Sequence, residues 1–148
     1  MRLQTTLVGI CYFMIQMFSG FATSVQGQTQ EQEKVYLVDS SADSACELNN
    51  FYLNQLMSEK EKQPKDRIFI ISRLSKGEKA SIGWKRLMTA YYVLTTGTKI
   101  STDQILIAAG TKTKEKKGRI EFYLGGKLIL ISIAEKGKNV CLTCCADK

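Results

Sequence analysis

Apolar residues along the chain fall into short runs and helical stripes that polar stretches separate. The runs are rich in Ile, Leu, Val and Phe and have the length of β-strands. The run at Ile68–Ile71 is continuously apolar, which is typical of a central strand covered on both faces. Gly125-Gly126 divides the last two runs and is a two-residue hairpin signature. The predicted strands are Val35–Val38, Arg67–Ser72, Gln104–Ala109, Arg119–Leu124 and Lys127–Ile133.

A first helix is predicted after the strand at Val35–Val38. The segment Ser44–Glu47 (SACE) fits a capping box, in which a Ser and a Glu three residues later satisfy each other's backbone N–H groups. Pro64 lies just beyond the expected end of this helix. The predicted inward face consists of Leu48, Phe51, Tyr52 and Leu56, at spacings of three and four, and is widened by Leu53 and Met57.

A second helix is predicted over Ala80–Thr95. Ser75–Glu78 (SKGE) is another capping-box sequence, so the start of this helix stays open. Trp84, Tyr91 and Tyr92 could belong to a carbohydrate-binding platform, but aromatic residues at helical spacing favour packing in the core and at its flank. The inner stripe of this helix is predicted to be Leu87, Ala90, Tyr91 and Leu94.

The N-terminal part of the chain is predicted to be a secretory signal peptide. Arg2 supplies a positive start, and Leu7–Phe18 is an apolar run that is short for a membrane span. We expect cleavage after Gly27, or alternatively after Ala22, and an uncleaved anchor is the other interpretation. The mature protein is then periplasmic or secreted, with no stable membrane span. The predicted organisation is a signal peptide at 1–27, a polar leader at 28–34, an α+β domain at 35–134 and a cysteine-containing tail at 135–148.

The composition excludes the commonest catalytic sets. The chain has 148 residues and no histidine, which excludes Ser-His-Asp and Cys-His hydrolases and removes the commonest metal ligand. We therefore predict a non-enzymatic protein with no catalytic residues, no cofactor and no metal site. The acidic residues Asp39, Asp43 and Glu47 are explained by turn and cap chemistry.

Positive charge favours acidic partners. The net charge is +7, which suits a cell-wall polymer, anionic lipid or nucleic acid and also serves solubility alone. The loop Thr111–Gly118 concentrates this charge and either grips an anionic polymer or is a solvated hairpin loop. The absence of aromatic residues in it argues against nucleic acid as the partner.

Cysteines predict a covalent staple. Cys46, Cys141, Cys144 and Cys145 remain after signal cleavage, and an even number in an exported chain favours disulfides. We expect Cys46 to pair with one of the tail cysteines. Because Cys141 and Cys144 form a CxxC motif, a redox site and a cysteine-only metal site are the rival interpretations.

The element order and several short motifs resemble the OmpA-like C-terminal domain, the peptidoglycan-associating family. Val35–Ser41 is similar to that family's first strand and Asp-Ser turn, and Lys85–Leu87 with Val93-Leu94 is similar to its Arg-Arg-Ala helix. Arg119–Glu121 is similar to its closing Arg-Val-Glu strand. The resemblance spans about Val35 to Leu124. It implies an α+β fold with a mixed sheet of four to five strands and two helices on one face.

The same resemblance implies a ligand site. Arg86 matches the helix arginine that pairs with the diaminopimelate carboxylate, but the family's Gly-His-Thr-Asp turn reads Ser72–Ser75 (SRLS) here and has no Asp. Glu78 could replace that Asp if the loop folds back, and Arg73 lies in the same loop. Arg86 is expected at the rim of the site, next to the loop Arg73–Glu78. The alternative is a surface arginine that pairs with Glu78 or with water.

The sequence thus predicts an exported cell-envelope binding or adaptor module whose partner is a cell-wall polymer, with peptidoglycan the first candidate, or an envelope protein. The alternative is a disulfide-stapled structural domain that binds another protein, and a weaker one is a thiol–disulfide protein using the tail cysteines.

Overall fold

The structure is a computed structural model, and residues 34–40, 45–98 and 100–142 are described. The predicted signal peptide, the Ser44 cap and the cysteines Cys144 and Cys145 lie outside these residues. The strands are β1 (Tyr36–Asp39), β2 (Ile68–Arg73), β3 (Ile105–Ala109), β4 (Gly118–Leu124) and β5 (Lys127–Ala134). The α-helices are α1 (Ala45–Lys62) and α2 (Ala80–Gly97), and a short 3-10 helix at Thr102–Gln104 precedes β3.

The five strands form one mixed sheet in the order β1-β5-β4-β2-β3. β1 runs parallel to β5 and β2 runs parallel to β3, whereas β4 is antiparallel to both β2 and β5. Gly125 and Gly126 close the β4–β5 hairpin with φ angles of 57° and 87°, the left-handed conformations that a type I′ turn requires. The predicted α+β class, mixed sheet and hairpin are therefore confirmed.

Both helices pack on one face of the sheet. Residues directly paired across neighbouring strands share a face, and the buried apolar residues Ile70, Phe122 and Leu130 form one such row. Leu56 of α1 and Leu87 of α2 belong to the same buried cluster as this row. The helices therefore cover a single face, and the hydrophobic core lies between them and the sheet.

The opposite side of the sheet, which we call the helix-free face, is also rich in apolar residues. One row across it contains Leu37, Ile131, Glu121, Ile71 and Ala108. Among the described residues, no helix or strand packs on this face, so the expectation that Ile68–Ile71 is covered on both faces is not met there. A second row contains Leu106, Phe69, Tyr123 and Leu128.

The inward face of α1 differs from the predicted one. Leu48 and Phe51 are exposed, and Leu53 and Leu56 are buried together with Asn49. Asn49 takes an inward position because its Nδ2 donates a hydrogen bond of 2.6 Å to the backbone oxygen of Cys141. The segment after β5 lies against α1 there, and its polar backbone selects an amide side chain.

The inward stripe of α2 contains Leu87, Ala90 and Leu94, as predicted, but also Arg86 and Gly83. The prediction that Trp84, Tyr91 and Tyr92 pack in the core or at its flank is confirmed for Tyr91, which packs against the core. It is wrong for Trp84 and Tyr92, which are 50% and 66% exposed. Both lie off the buried stripe of Leu87, Ala90 and Leu94, and one apolar stripe is enough to face a sheet.

Candidate functional site

Arg86 and Glu78 form a buried ion pair beneath the sheet. Nη1 and Nη2 of Arg86 donate to the two carboxylate oxygens of Glu78, at 3.0 and 2.6 Å. The Arg86 and Glu78 side chains are 0% and 1% exposed. This is the bidentate arrangement in which a planar guanidinium matches a carboxylate.

Backbone groups complete the pair. Arg86 Nε and Nη2 donate to the backbone oxygen of Lys138, and Nη2 also reaches the oxygen of Glu135. Glu78 accepts hydrogen bonds of 2.7 Å from the N–H groups of Ser75 and Gly137. The pair thus ties the loop before α2 to the segment after β5, with each of its charges hydrogen-bonded.

Gly118, at the start of β4, makes room for this pair. A Cβ at this position would collide with Nη1 of Arg86 and would lie 2.6 Å from Oε2 of Glu78. Because neither buried group can move without losing hydrogen bonds, only glycine fits at this position without a shift of the pair.

The hydrogen bonds around Glu78 keep its carboxyl group ionised. Burial alone raises the pKa of its carboxyl, but the hydrogen bonds from Arg86, Gly137 and Ser75 outweigh burial and lower the pKa to about 2. Glu78 is therefore ionised at neutral pH. The Ser75–Glu78 capping box is only half formed, because α2 begins at Ala80 and Glu78 faces Arg86.

Arg86 does not lie at a rim, so that expectation is wrong. Its position three residues after Gly83 and four before Ala90 places it on the buried stripe of α2. The loop does fold back, and it brings Glu78 onto Arg86 and not onto a second ligand group. The predicted ligand role of these two residues would therefore require a ligand to compete with bonds that are already made.

Arg73 belongs to a different cluster, on the helix-free face. Arg73 and Arg119 are direct cross-strand neighbours, and the Nε of each donates to Oε1 of Glu121 at 2.7 Å. The hydroxyl of Tyr123 donates to Oε2 of Glu121 at 2.8 Å. The two arginines are 26% and 24% exposed, whereas the Glu121 side chain is 4% exposed.

The carboxylate of Glu121 offsets the repulsion between the guanidinium groups of Arg73 and Arg119, which would otherwise destabilise this cross-strand pair. Its burial raises the pKa of the carboxyl, but the hydrogen bonds from Arg73, Arg119 and Tyr123 lower the pKa overall. The hydrogen bond with Glu121 raises the pKa of Arg73, and burial together with Glu121 raises the pKa of the Tyr123 hydroxyl. All three charges are therefore held at neutral pH.

This arginine cluster places two guanidinium groups next to apolar side chains. Two guanidinium groups face one buried carboxylate, and the only other carboxylate in contact among the described residues, that of Glu115, is 57% exposed and pairs with Arg119. Ile133 and Ile71 lie beside the arginines on the same face. The arrangement can therefore receive an acidic group that is presented on an apolar surface.

One end of the predicted cysteine staple, Cys46, lies within the described residues. Cys46 is disulfide-bonded at the start of α1, and its partner lies outside the described residues. Cys141 lies next to α1, where its backbone oxygen accepts the hydrogen bond from Asn49. Pairing of Cys46 with a tail cysteine, and any redox or metal role of the CxxC motif, stay predictions.

Two features are absent from residues 34–40, 45–98 and 100–142. No group of three or more Cys, Asp or Glu side chains in these ranges could hold a metal ion. No helix within them is both long and apolar enough to cross a membrane. The predicted basic loop is confirmed as irregular structure between β3 and β4.

No protein-family model, curated protein or solved structure matches the chain. The site is therefore interpreted from its own geometry. Sequence reasoning missed Arg119 and Glu121 as partners of Arg73. Their i, i+2 spacing in β4 places both on one face of a strand, which was the available signal.

Proposed function

We propose that the mature chain is an exported, non-enzymatic binding module of the cell envelope, built on an OmpA-like scaffold. Its partner is another protein, and it binds through the helix-free face of the sheet. The apolar character of that face carries the proposal. An antiparallel or mixed sheet with one solvated face normally alternates apolar and polar residues, but here Phe69, Ile71 and Ile131 occupy the outward positions.

Apolar side chains that stay in contact with water cost free energy, and burial against a binding partner removes this cost. Leu37 and Leu106 are 63% and 44% exposed at opposite edges of the helix-free face. Contiguous apolar patches rimmed by polar groups mark protein–protein contact sites more often than they mark ordinary surface. Apolar side chains on strands from one edge of the sheet to the other supply such a patch.

Charge indicates what kind of partner fits. Arg73 and Arg119 share the buried Glu121 at one end of the face, and both arginine side chains still reach solvent. A partner that offers an Asp or Glu at the margin of an apolar surface would satisfy both features at once. Periplasmic or secreted localisation follows from the predicted signal peptide.

Peptidoglycan is a weaker partner for this scaffold. The resemblance would assign its carboxylate to Arg86, but every nitrogen of that guanidinium already donates to Glu78 or to a backbone oxygen. A protein partner that binds Arg73 and Arg119 would not have to displace an existing bond. Glu121 fixes the positions of these two arginines, and their guanidinium groups still reach solvent.

The proposal is tested by photocrosslinking in living cells. A photoreactive residue replaces Leu37 or Leu106 on the helix-free face, and the matched control replaces Phe51, which is 55% exposed on α1. We expect the first two positions to link to the same protein and the control not to link to it. With that partner purified, Arg119→Glu should weaken binding at least about tenfold, roughly 1.4 kcal/mol.

Lys62→Glu makes the same change of charge on α1, where Lys62 is 65% exposed, and should leave binding unchanged. Three results would overturn the proposal: equal crosslinking from Phe51, an adduct that contains only a second copy of this chain, or an adduct that a cell-wall hydrolase releases. The last result would restore peptidoglycan as the partner.

A further inference from the structure

The exposed side of α2 carries an apolar stripe that the core does not use. Trp84, Met88 and Tyr92 follow one another at intervals of four residues and are 50%, 50% and 66% exposed. Residues at this spacing lie on one side of a helix. Met88 and Tyr92 also line an open groove of about 540 Å³ along the helix, together with Lys85, Thr89, Val93 and Thr96.

The charged residues of helix α2 are all basic. The sequence of α2, Ala80–Gly97, contains no Asp or Glu, and Lys85 lies within the stripe. Helix α1 offers a comparison, because its exposed Leu48 and Phe51 share their helix with the acidic residues Glu47, Glu59 and Glu61. Of the two described α-helices, only α2 combines an exposed apolar stripe with purely basic charge.

Neighbouring loops add further lysines at the N-terminal end of α2. The loop between β3 and β4 is joined to the loop before α2 by hydrogen bonds from Lys76 N to Glu115 O and from Thr113 N to Leu74 O. Lys136 approaches Gly77 from the segment after β5. The basic end is formed by Lys76, Lys79, Lys85 and Lys136, with Lys112 and Lys114 of the adjacent loop.

The acidic residues at this end are already engaged. Glu78 pairs with the buried Arg86, Glu115 pairs with Arg119, and Glu135 pairs with Lys138. Within the described residues, none of the six lysines of the basic end forms an ion pair. These lysines are therefore available to an acidic partner outside the domain.

We propose that α2 is a membrane-contact helix, which lies on an anionic lipid surface with Trp84, Met88 and Tyr92 among the head groups. Trp and Tyr favour the boundary between head groups and acyl chains. Lysines next to such a stripe attract acidic phospholipids, each by roughly a factor of five in binding. The buried face of α2 stays in the core, so the domain docks without unfolding. This surface is separate from the helix-free face and does not depend on the protein partner.

The chain supplies its own reporter, because Trp84 is the only tryptophan in the sequence. Trp84 emission is recorded while the protein is mixed with vesicles of phosphatidylglycerol and phosphatidylcholine, or of phosphatidylcholine alone. We expect a blue shift and quenching by brominated acyl chains with the anionic vesicles, and a loss of both at high salt.

Two matched pairs of substitutions test the charge. Lys79→Glu with Lys85→Glu should weaken partitioning roughly 25-fold or more, since each lysine contributes about a factor of five. Lys79 is the N-cap residue of α2, where an acidic side chain favours the helix, and far-UV circular dichroism of the double variant checks that α2 is retained. Lys62→Glu with Lys65→Glu makes the same change in charge at the other end of the sheet and should leave partitioning within about twofold.

A further pair of substitutions tests the contribution of the apolar stripe. Met88→Ser with Tyr92→Ser should weaken partitioning roughly tenfold, whereas Phe51→Ser on α1 should not. Leu7–Phe18 is the same in all variants, so any lipid affinity of that segment cancels in these comparisons. The proposal is overturned if Trp84 emission does not change with anionic vesicles, if vesicles bind without quenching of Trp84, or if the control pairs lose as much affinity as the α2 pairs.

Discussion

The two faces of the sheet each hold an arginine–glutamate cluster, and the clusters are built differently. On the helix side, Arg86 and Glu78 are matched one to one and are withdrawn from water. On the helix-free face, Arg73 and Arg119 share one carboxylate and keep part of their surface exposed. The first cluster is closed by backbone groups, whereas the guanidinium groups of the second remain open to solvent on one side.

The difference in burial between the two clusters shows how arginine–glutamate pairing can either stabilise the fold or remain available for binding. A buried pair is costly to desolvate and tolerates no loss of a partner, so it holds the loop before α2 and the segment after β5 in one arrangement. A partly exposed cluster, whose guanidinium groups still reach solvent, can accept a further acidic group without breaking its existing bonds. The resemblance pointed to Arg86 as the ligand residue, but the geometry favours the arginines of the opposite face.

The largest effect is expected from removing Glu78. Glu78→Ala leaves Arg86 buried and uncompensated, which should lower the free energy of unfolding by roughly 3–5 kcal/mol. Urea denaturation measures this loss. The double variant Glu78→Ala with Arg86→Met should be more stable than Glu78→Ala alone, because it removes the orphaned charge. A single variant that unfolds like the parent would show that the two clusters do not differ in this way.

Acid should act on the buried pair in a defined pH window. The pKa of Glu78 is about 2 in the folded chain against an ordinary value of 4.5, so the folded chain binds this proton more weakly. The stabilisation is present above pH 4.5 and is lost as the pH falls from 4.5 through about 2, to a total of about 3 kcal/mol.

Unfolding measured between pH 6 and pH 2 tests this. Glu78→Gln should remove that part of the pH dependence and leave the part due to Glu121, whose pKa is also lowered. Parallel pH profiles for the parent and Glu78→Gln would contradict the assignment.

A smaller effect is expected on the helix-free face. Glu121→Gln should cost roughly 1–2 kcal/mol, because it weakens charge-assisted hydrogen bonds while the tips of Arg73 and Arg119 still reach water. The exposed Glu61→Gln serves as a control with nearly no effect. Added salt should offset part of the loss in Glu121→Gln by screening the two arginines. A loss equal to that of Glu78→Ala would erase the contrast between the faces.

The sequence by itself determined most of the secondary structure. The apolar runs predicted all five strands to within two residues at each end, because short runs of branched and aromatic residues between polar stretches leave few alternatives. Gly125-Gly126 predicted its hairpin because two successive left-handed residues are strongly selective for glycine. The stripe of Leu87, Ala90 and Leu94 likewise follows from helical spacing alone.

Only the tertiary structure decided which polar side chains are buried and with whom. Arg86 shares its stripe with Leu87, but an arginine enters a core only when a distant carboxylate and carbonyl groups meet it, and Glu78 and Lys138 come from separate segments. Asn49 replaces Leu48 as an inward residue for the same reason, since its partner is the backbone of Cys141. Local periodicity reports which residues are apolar, whereas the burial of a charge depends on partners that are remote in the chain.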